Sequence, residues 1–249
     1  SRWGLQSSLS RVLKDLNGTP PDESTLVKAE KNLLWRARVD WRMDGIKALP
    51  LLAQMQHVGV PTRLLDVTFN PLIAAWFAVA RSKHTDERDA RLLVFLANKP
   101  IQLKSVWDTN TPRWHQLKSD HARRAASWGT GGGRRIWRPP AIHARIPAQN
   151  AAFLLDGVPI DSSQPDLDGR VPWSPAELRQ FASIPMRLAH VRAGRLPTSY
   201  SPVFTYVITA SAKEEIRDQL EKRFGYRFST VYADLQGLAE YAEQWPAEA

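Results

Sequence analysis

The stretch Gln56-His57-Val58-Gly59-Val60-Pro61-Thr62-Arg63-Leu64-Leu65-Asp66-Val67-Thr68-Phe69-Asn70-Pro71 runs directly into the apolar segment Leu72 to Ala80. No other part of the chain constrains the fold as strongly. Asn70 suits an N-cap, because its side-chain oxygen can accept from an orphan N–H, and Pro71 suits the first helical position, where no N–H is needed. The spacing predicts a helix over 71–81 that is apolar on all sides and therefore central. Polar groups packed beside such a helix are costly unless they are paired or used. His57, Arg63, Asp66, Thr68 and Asn70 are the groups in question.

At 249 residues the chain can bury a full core as one domain or two. It has no Cys, which excludes disulfides, thiolate metal sites and a Cys nucleophile and favours a reducing, cytoplasmic setting. The six His are scattered without close ligand spacing, so no metal is expected. No Gly-x-Ser-x-Gly elbow is present, which argues against a Ser hydrolase. The longest apolar run, Pro71 to Ala80, falls well short of the roughly 18 residues of a membrane helix, so no membrane partner is expected. Lys and Arg total 34 against 25 Asp and Glu, a formal charge of +9. That balance suits anionic partners, and equally a soluble protein with a solvated Arg-rich surface.

Local signals order the rest. Trp3, Leu5, Leu9, Val12 and Leu13 form a short amphipathic segment, and Asn17 to Pro21 a turn. Asp22 or Ser24 can cap a helix over about 23–41, with Leu26, Ala29, Leu33, Leu34 and Ala37 on one face. Pro50 fits the first turn of a helix over 50–57, ended by Gly59. Thr62 to Asp66 reads as a short strand and Arg91 to Ala97 as a buried one, with others near 101–107, 142–146, 151–155 and 203–209. Region 108–140 is basic and irregular, and 156–176 a long loop. Ser211-Ala-Lys-Glu214 has the form of a capping box opening a helix to Phe224, stopped by Gly225, and a last helix covers about 232–245. Strict β-α alternation is missing, so the expected fold class is α+β: a single domain with a mixed β-sheet and a central buried helix, 71–81.

The pattern Gln56-His57-x-Gly59-x-Pro61-Thr62-Arg63-Leu64-Leu65-Asp66-x-Thr68-x-Asn70-Pro71, followed by Ala74, Ala75 and Phe77-Ala78, resembles the central signature of the FRG domain family, named for a Phe/Tyr-Arg-Gly motif. Two flanking stretches agree in order and spacing: Trp3 to Arg11, and Arg145-x-x-x-Gln149-x-Ala151-x-Phe153, with Ala151 in the usual Gly place. The resemblance implies an FRG domain over 1–249. The naming triplet is absent, the chain starting just after its expected place, and Val67 stands where the family tends to have Trp. A site using that upstream Arg would be incomplete here.

The family pattern is in turn similar to the layout of mono-ADP-ribosyltransferases. That likeness implies an ADP-ribosyltransferase-like fold, NAD as a substrate, Thr68 and Asn70 as the middle element and Gln149 on a late strand as the last. Arg63 and Asn70 would hold the cofactor, and Asp66, Thr68, Gln149 and His57 would serve catalysis. The helix N-terminus at Pro71 could receive a phosphate, and the planar fork of Arg63 could neutralise a pyrophosphate. Gln149 cannot act as a general base, which leaves Asp66 as the nearest carboxylate. Each residue has a structural alternative. Arg63 and Asp66 can pair, His57 can cap a helix end, and Thr68 and Asn70 can be turn and cap residues.

Gly129-Thr-Gly-Gly-Gly-Arg-Arg135 lacks both the P-loop ending and the dinucleotide spacing, and a flexible surface loop is the expectation. Around it Arg123, Arg124, Arg134, Arg135 and Arg138 interleave with Trp114, Trp128 and Trp137. Such a set can grip single-stranded nucleic acid through phosphate pairing and base stacking, or hold another anionic partner. A solvated loop anchored by Trp is the alternative, and it stays open. The function class is thus a nucleotide-binding, ADP-ribosyltransferase-like effector or defence domain, or a non-enzymatic binding module using 113–138.

Overall fold

A computed structural model describes residues 5–81, 86–96, 99–101, 107, 109–161, 173–186 and 203–244. In chain order the elements are α1 (Ser8–Asn17), α2 (Glu23–Val39), α3 (Ala48–His57), β1 (Leu65–Thr68), α4 (Pro71–Val79), β2 (Ala90–Phe95) and β3 (Lys99–Pro100). A 3-10 turn (Arg113–Gln116), α5 (Asp120–Ala125), β4 (Arg135–Trp137), α6 (Arg145–Ala148) and β5 (Ala151–Leu155) follow. The chain continues through α7 (Pro175–Phe181), β6 (Val203–Ile208), a second 3-10 turn (Ala210–Ala212), α8 (Lys213–Phe224), α9 (Phe228–Val231) and α10 (Leu235–Gln244). The class is mixed α+β with small sheets. Two compact units divide the chain: the first is Ser1–Leu65, Phe95–Trp137 and Phe153–Phe204, the second Asp66–Val94, Arg138–Ala152 and Thr205–Ala249.

In the first unit the helix caps follow their sequence signals. Asp22 accepts from the Thr25 N–H and opens α2. Gly18 ends α1 in the left-handed region, and Gly59 takes the same conformation just beyond α3. α2 and α3 bury Leu34, Ala37, Leu49, Leu51, Leu52 and Met55 with Trp114, Trp128 and Trp137 in one apolar cluster. β4 runs parallel to β3 and antiparallel to β5, with Trp137 opposite Phe153 and Arg135 opposite Leu155.

Thr62 to Leu64 is not strand. The Thr62 carbonyl accepts from Leu9 N–H and its N–H donates to Ser8 Oγ, so this backbone is tied to the start of α1. The strand begins only at Leu65. The glycine-rich segment is not a surface loop either: Gly129, Gly131, Gly133, Arg134 and Arg135 are buried. Asp156, fully inside, accepts from the N–H groups of Gly129 and Gly157 through Oδ1. Burial pushes its carboxyl up to about 6, against those hydrogen bonds and the nearby Arg134 and Arg135 charges.

In the second unit α4 is capped as expected, with Asn70 Oδ1 accepting from Leu72 N–H and Pro71 at the first helical position. It is shorter than expected and buries one face only. Ile73, Trp76 and Val79 pack with Leu220 of α8 and with Val231, while Phe77 is 42% exposed. The helix is therefore half-buried against another helix rather than central on a sheet. Each of the three inward side chains contributes about 1.5–3 kcal/mol of apolar burial. β1 neighbours β5, and Phe69 N–H donates to the Asn150 carbonyl. β2 and β6 form a two-stranded sheet, and β2 is half-exposed rather than buried.

Three further expectations are corrected. The segment 142–146 is no strand; Arg145–Ala148 is a helical turn, in which Gln149 N–H donates to the Arg145 carbonyl. α8 has no capping box, because the Ser211 hydroxyl pairs with that of Thr209, and the helix starts from Ala212. The reciprocal Ser-Glu box lies instead at Ser174 and Glu177, opening α7. The strand expected at 101–107 and most of the loop at 156–176 lie outside the described residues.

Gly129 has φ +83°, and a Cβ there would strike the Val158 carbonyl and come within 2.5 Å of the Arg123 guanidinium. Gly129→Ala is therefore expected to lower stability by about 2–4 kcal/mol, from the left-handed backbone plus overpacking. Urea unfolding followed by Trp fluorescence measures it.

Candidate functional site: a buried ionic lattice beside a cleft

The first unit is organised around one guanidinium. Arg63 Nε donates to Glu30 Oε1 at 2.6 Å, Nη2 to Glu30 Oε2 at 2.9 Å, and Nη1 to Glu23 Oε1 at 2.7 Å. Its side chain is 3% exposed, and those of Glu23 and Glu30 are 8% and 0%. The guanidinium also lies over Trp114 and Trp128, 5.4 and 5.6 Å from the ring centroids, and these two rings stack on each other. Trp114 Nε1 donates to Glu30, Trp128 Nε1 to Glu23, and the Val158 N–H to Glu23. His115 Nε2 sits 3.0 Å from Glu30 Oε2.

Ionised carboxylates this deep need donors on nearly every lone pair, and here they have them. Burial alone would raise the Glu30 carboxyl; the Arg63 charge and the His115 and Arg63 hydrogen bonds outweigh it and hold it below the usual range. Burial likewise opposes the charge on Arg63, and the two glutamates overcome that and raise its pKa.

A cleft of about 640 Å³ opens beside this lattice in the same unit. Lys28 and Lys31 of α2, together with His115, Lys118, Arg123, Val158 and Ile160, line it. Its acids are already engaged. Asp22 caps α2, Glu23 holds Arg63, and Asp120 pairs with Arg123 at 3.2 Å. Lys28, Lys31 and Lys118 are exposed and make no ion pair among the described residues. The cleft therefore presents net positive charge to whatever enters it.

The residues expected to share one site fall in two units. His57 and Arg63 belong to the first, and Asp66, Thr68, Asn70 and Gln149 to the second. His57 occupies the last turn of α3. The fork of Arg63 is filled by two carboxylates and is not open to a pyrophosphate. Within the second unit Thr68, Asn70 and Gln149 do come together. Thr68 Oγ1 donates to the Gln149 carbonyl at 2.7 Å and accepts from Asn70 N–H at 2.9 Å. The side chains of Asn70 and Gln149 are also engaged, Asn70 Nδ2 donating to the Tyr226 hydroxyl and Gln149 Nε2 to the Val231 carbonyl. Gln149 caps α6 rather than sitting on a strand. Asp66 is exposed on β1. Arg145, noted in the sequence only as part of a family pattern, clamps Asp234 with Nε and Nη2 and reaches Glu240.

Glu23, Glu30, Arg63, Thr68 and Asn70 thus all come from the first third of the chain. Residues 1–87 match the FRG domain. No curated protein and no solved structure matches the chain. The FRG segment supplies the acids and the arginine of the lattice, whereas Trp114, His115 and Trp128, which close it, lie beyond the matched residues. One signal for the lattice is present in the FRG segment itself: Glu30 falls on the same helical stripe as Leu26, Leu34 and Ala37, a charge where the pattern demands an apolar residue.

The basic region after the FRG segment is not one exposed patch. Arg123, Arg134 and Arg135 are buried, and only Arg124 and Arg138 of the five are exposed. Arg135 donates to the Gly133 and Ala126 carbonyls. Arg124 pairs with Asp161, and Arg138 lies over Phe69 in the second unit. Trp114, Trp128 and Trp137 are 0% exposed, so none offers a face for base stacking. Among the described residues no group of three His, Asp or Glu is placed to hold a metal ion, and no helix is long and apolar enough to cross a membrane.

Removing one partner of a buried ion pair leaves the others uncompensated. Arg63→Met is expected to cost about 3–5 kcal/mol, read from the urea midpoint. The depressed Glu30 carboxyl adds stability that is fully present above its ordinary value of 4.5 and is lost as pH falls through its lower folded value. The wild type should therefore lose stability on acidification below that value, and a Glu30→Gln variant, already weakened, should lose less.

Proposed function

We propose that this FRG domain protein is a nucleotide-binding protein and that its ligand occupies the cleft of the first unit. The observation that carries the reading is the imbalance inside that cleft: every acid that lines it is engaged by protein groups, and three ammonium groups make no ion pair among the described residues. A space of about 640 Å³ lies in the size range of small-molecule and cofactor sites. Unpaired cations facing a partly enclosed cleft favour a phosphate-bearing anion over a neutral or cationic ligand. NAD is the nucleotide implied by the likeness to ADP-ribosyltransferases, and it is the first ligand to test.

On this reading Arg63 is a structural residue and the phosphates are met by Lys28, Lys31 and Lys118. ADP-ribosyl transfer is the finer proposal. The hydrogen bonds of Thr68, Asn70 and Gln149 support a structural role for those three, and Asp66 belongs to the second unit whereas the cleft lies in the first, so no role in transfer is assigned to it.

Titration calorimetry with NAD tests the binding claim. The wild type should bind, more weakly as salt rises, and a Lys28→Ala/Lys31→Ala/Lys118→Ala variant should lose about tenfold or more in affinity while unfolding at the same urea concentration. No binding to the wild type, or equal binding by the variant, contradicts it. Nicotinamide release by the wild type, lost in the triple lysine variant, tests the transfer claim separately.

A further inference from the structure

α2 has two faces in different surroundings. Leu26, Glu30, Leu34 and Ala37 are buried, while the opposite stripe, Lys28, Lys31, Trp35 and Val39, stands in solvent. Residues three and four apart are neighbours on a helix surface, so these side chains form one line, about 16 Å long at a rise of about 1.5 Å per residue. Trp35 is 56% exposed, and Trp41, two residues past the helix end, is 70% exposed. A single exposed apolar side chain needs no explanation. Two tryptophans and the exposed Val39 in one short stretch do, because they leave two large rings in water.

Charge decides between occupants. From 28 to 47 the exposed charged residues are Lys28, Lys31, Arg36, Arg42 and Lys47 against Asp40 and Asp44, and Asp40 pairs with Arg36 at 3.4 Å. The surface is cationic, so its partner is anionic. A second copy of the chain, docked by a two-fold axis, would set this patch against itself, cation facing cation. A helix lying on a membrane keeps its apolar side chains on one face and its charges on the other. Here lysine, tryptophan and valine share one line, and the opposite face is the core. A single-stranded nucleic acid offers phosphates to the cations and base faces to the rings, both along one polymer. From this interleaving of exposed rings and cations, we propose that the solvent face of α2, continued by Trp41 and Arg42, binds single-stranded nucleic acid. Trp35 and Trp41 stack on bases, and Lys28, Lys31 and Arg42 meet phosphates. The two tryptophans lie outside the lining of the cleft, so the inference goes beyond the nucleotide reading and shares with it only Lys28 and Lys31.

Fluorescence anisotropy of a labelled oligothymidylate of about 12 nucleotides, within the site sizes of single-strand binders, tests it. The wild type should bind, with an affinity that falls as salt rises. Trp35→Ala/Trp41→Ala should lose about tenfold or more in affinity and keep the salt slope. Trp35→Phe/Trp41→Phe keeps an aromatic face at each position and should retain most of the binding. Lys28→Ala/Lys31→Ala should instead flatten the logarithmic salt slope by about 1.4, the release of two phosphates of a single strand. All four positions are exposed, so each variant should unfold at the wild-type urea concentration. NAD binding, which the tryptophan variants should leave unchanged, reports on the cleft alone, so the two readings fail separately. No oligonucleotide binding by the wild type, equal binding by Trp35→Ala/Trp41→Ala, or equal affinity for a duplex of the same strand overturns the inference. So does attachment to phosphatidylserine vesicles, or a dimer that Trp35→Ala/Trp41→Ala dissociates, where the oligonucleotide does not bind.

Discussion

One guanidinium shared between two buried glutamates is the interaction on which the first unit depends. Taking three charges out of water costs several kcal/mol per ion, and that cost is recovered only where every lone pair and proton finds a partner. Here Arg63, Trp114, Trp128, His115 and the Val158 N–H meet the carboxylates of Glu23 and Glu30 from four separate stretches of chain. An apolar core of similar volume could be as stable, so what the lattice contributes here is directional bonds between those stretches. The lattice fixes α2 against the segment carrying Arg63, holds the Trp114-His115 turn, and pins Val158 opposite. Of these pieces, α2, the Trp114-His115 turn and Val158 also line the cleft.

The consequence for function is a change in what the signature residues do. In the sequence Arg63 is a cation in search of an anion, and a pyrophosphate is a natural candidate. In the structure its anions are two glutamates 33 and 40 residues upstream. Thr68, Asn70 and Gln149 undergo a similar change: their polar groups join the turn before α4 to the end of α6 and to Val231. A motif rich in catalytic residue types can therefore be a folding device. Lys28, Lys31 and Lys118, which line the cleft and make no ion pair among the described residues, lie outside the motif.

Local rules account for what the sequence made legible. Asn70-Pro71, Asp22 and Gly225 mark helix ends through bonds that span only a few residues, and each acts as its type dictates. Alternatives within local reach still mislead: Ser211 has the spacing of a capping box, but the neighbouring Thr209 hydroxyl takes its side chain. Long-range pairing was out of reach. Arg123 turns inward onto the distant Val158 carbonyl and Glu23, whereas Arg134 and Arg135 bond the nearby carbonyls of Gly131, Gly133 and Ala126, acceptors that every residue carries and that announce nothing in the sequence. The three tryptophans looked like stacking platforms and are core, two of them with indole N–H groups on the lattice. Glu30 was legible in principle, as the charged member of the buried stripe of α2.

The central claim is a division of labour: the signature arginine holds the fold, and the cleft beside it holds the ligand. A crystal structure of the protein with bound NAD tests it most directly. The account predicts phosphate oxygens at hydrogen-bonding distance from the ammonium groups of Lys28, Lys31 or Lys118, with Arg63 still on Glu23 and Glu30. A pyrophosphate seated on Arg63, or at the N-terminus of α4 beside Asn70, would contradict it.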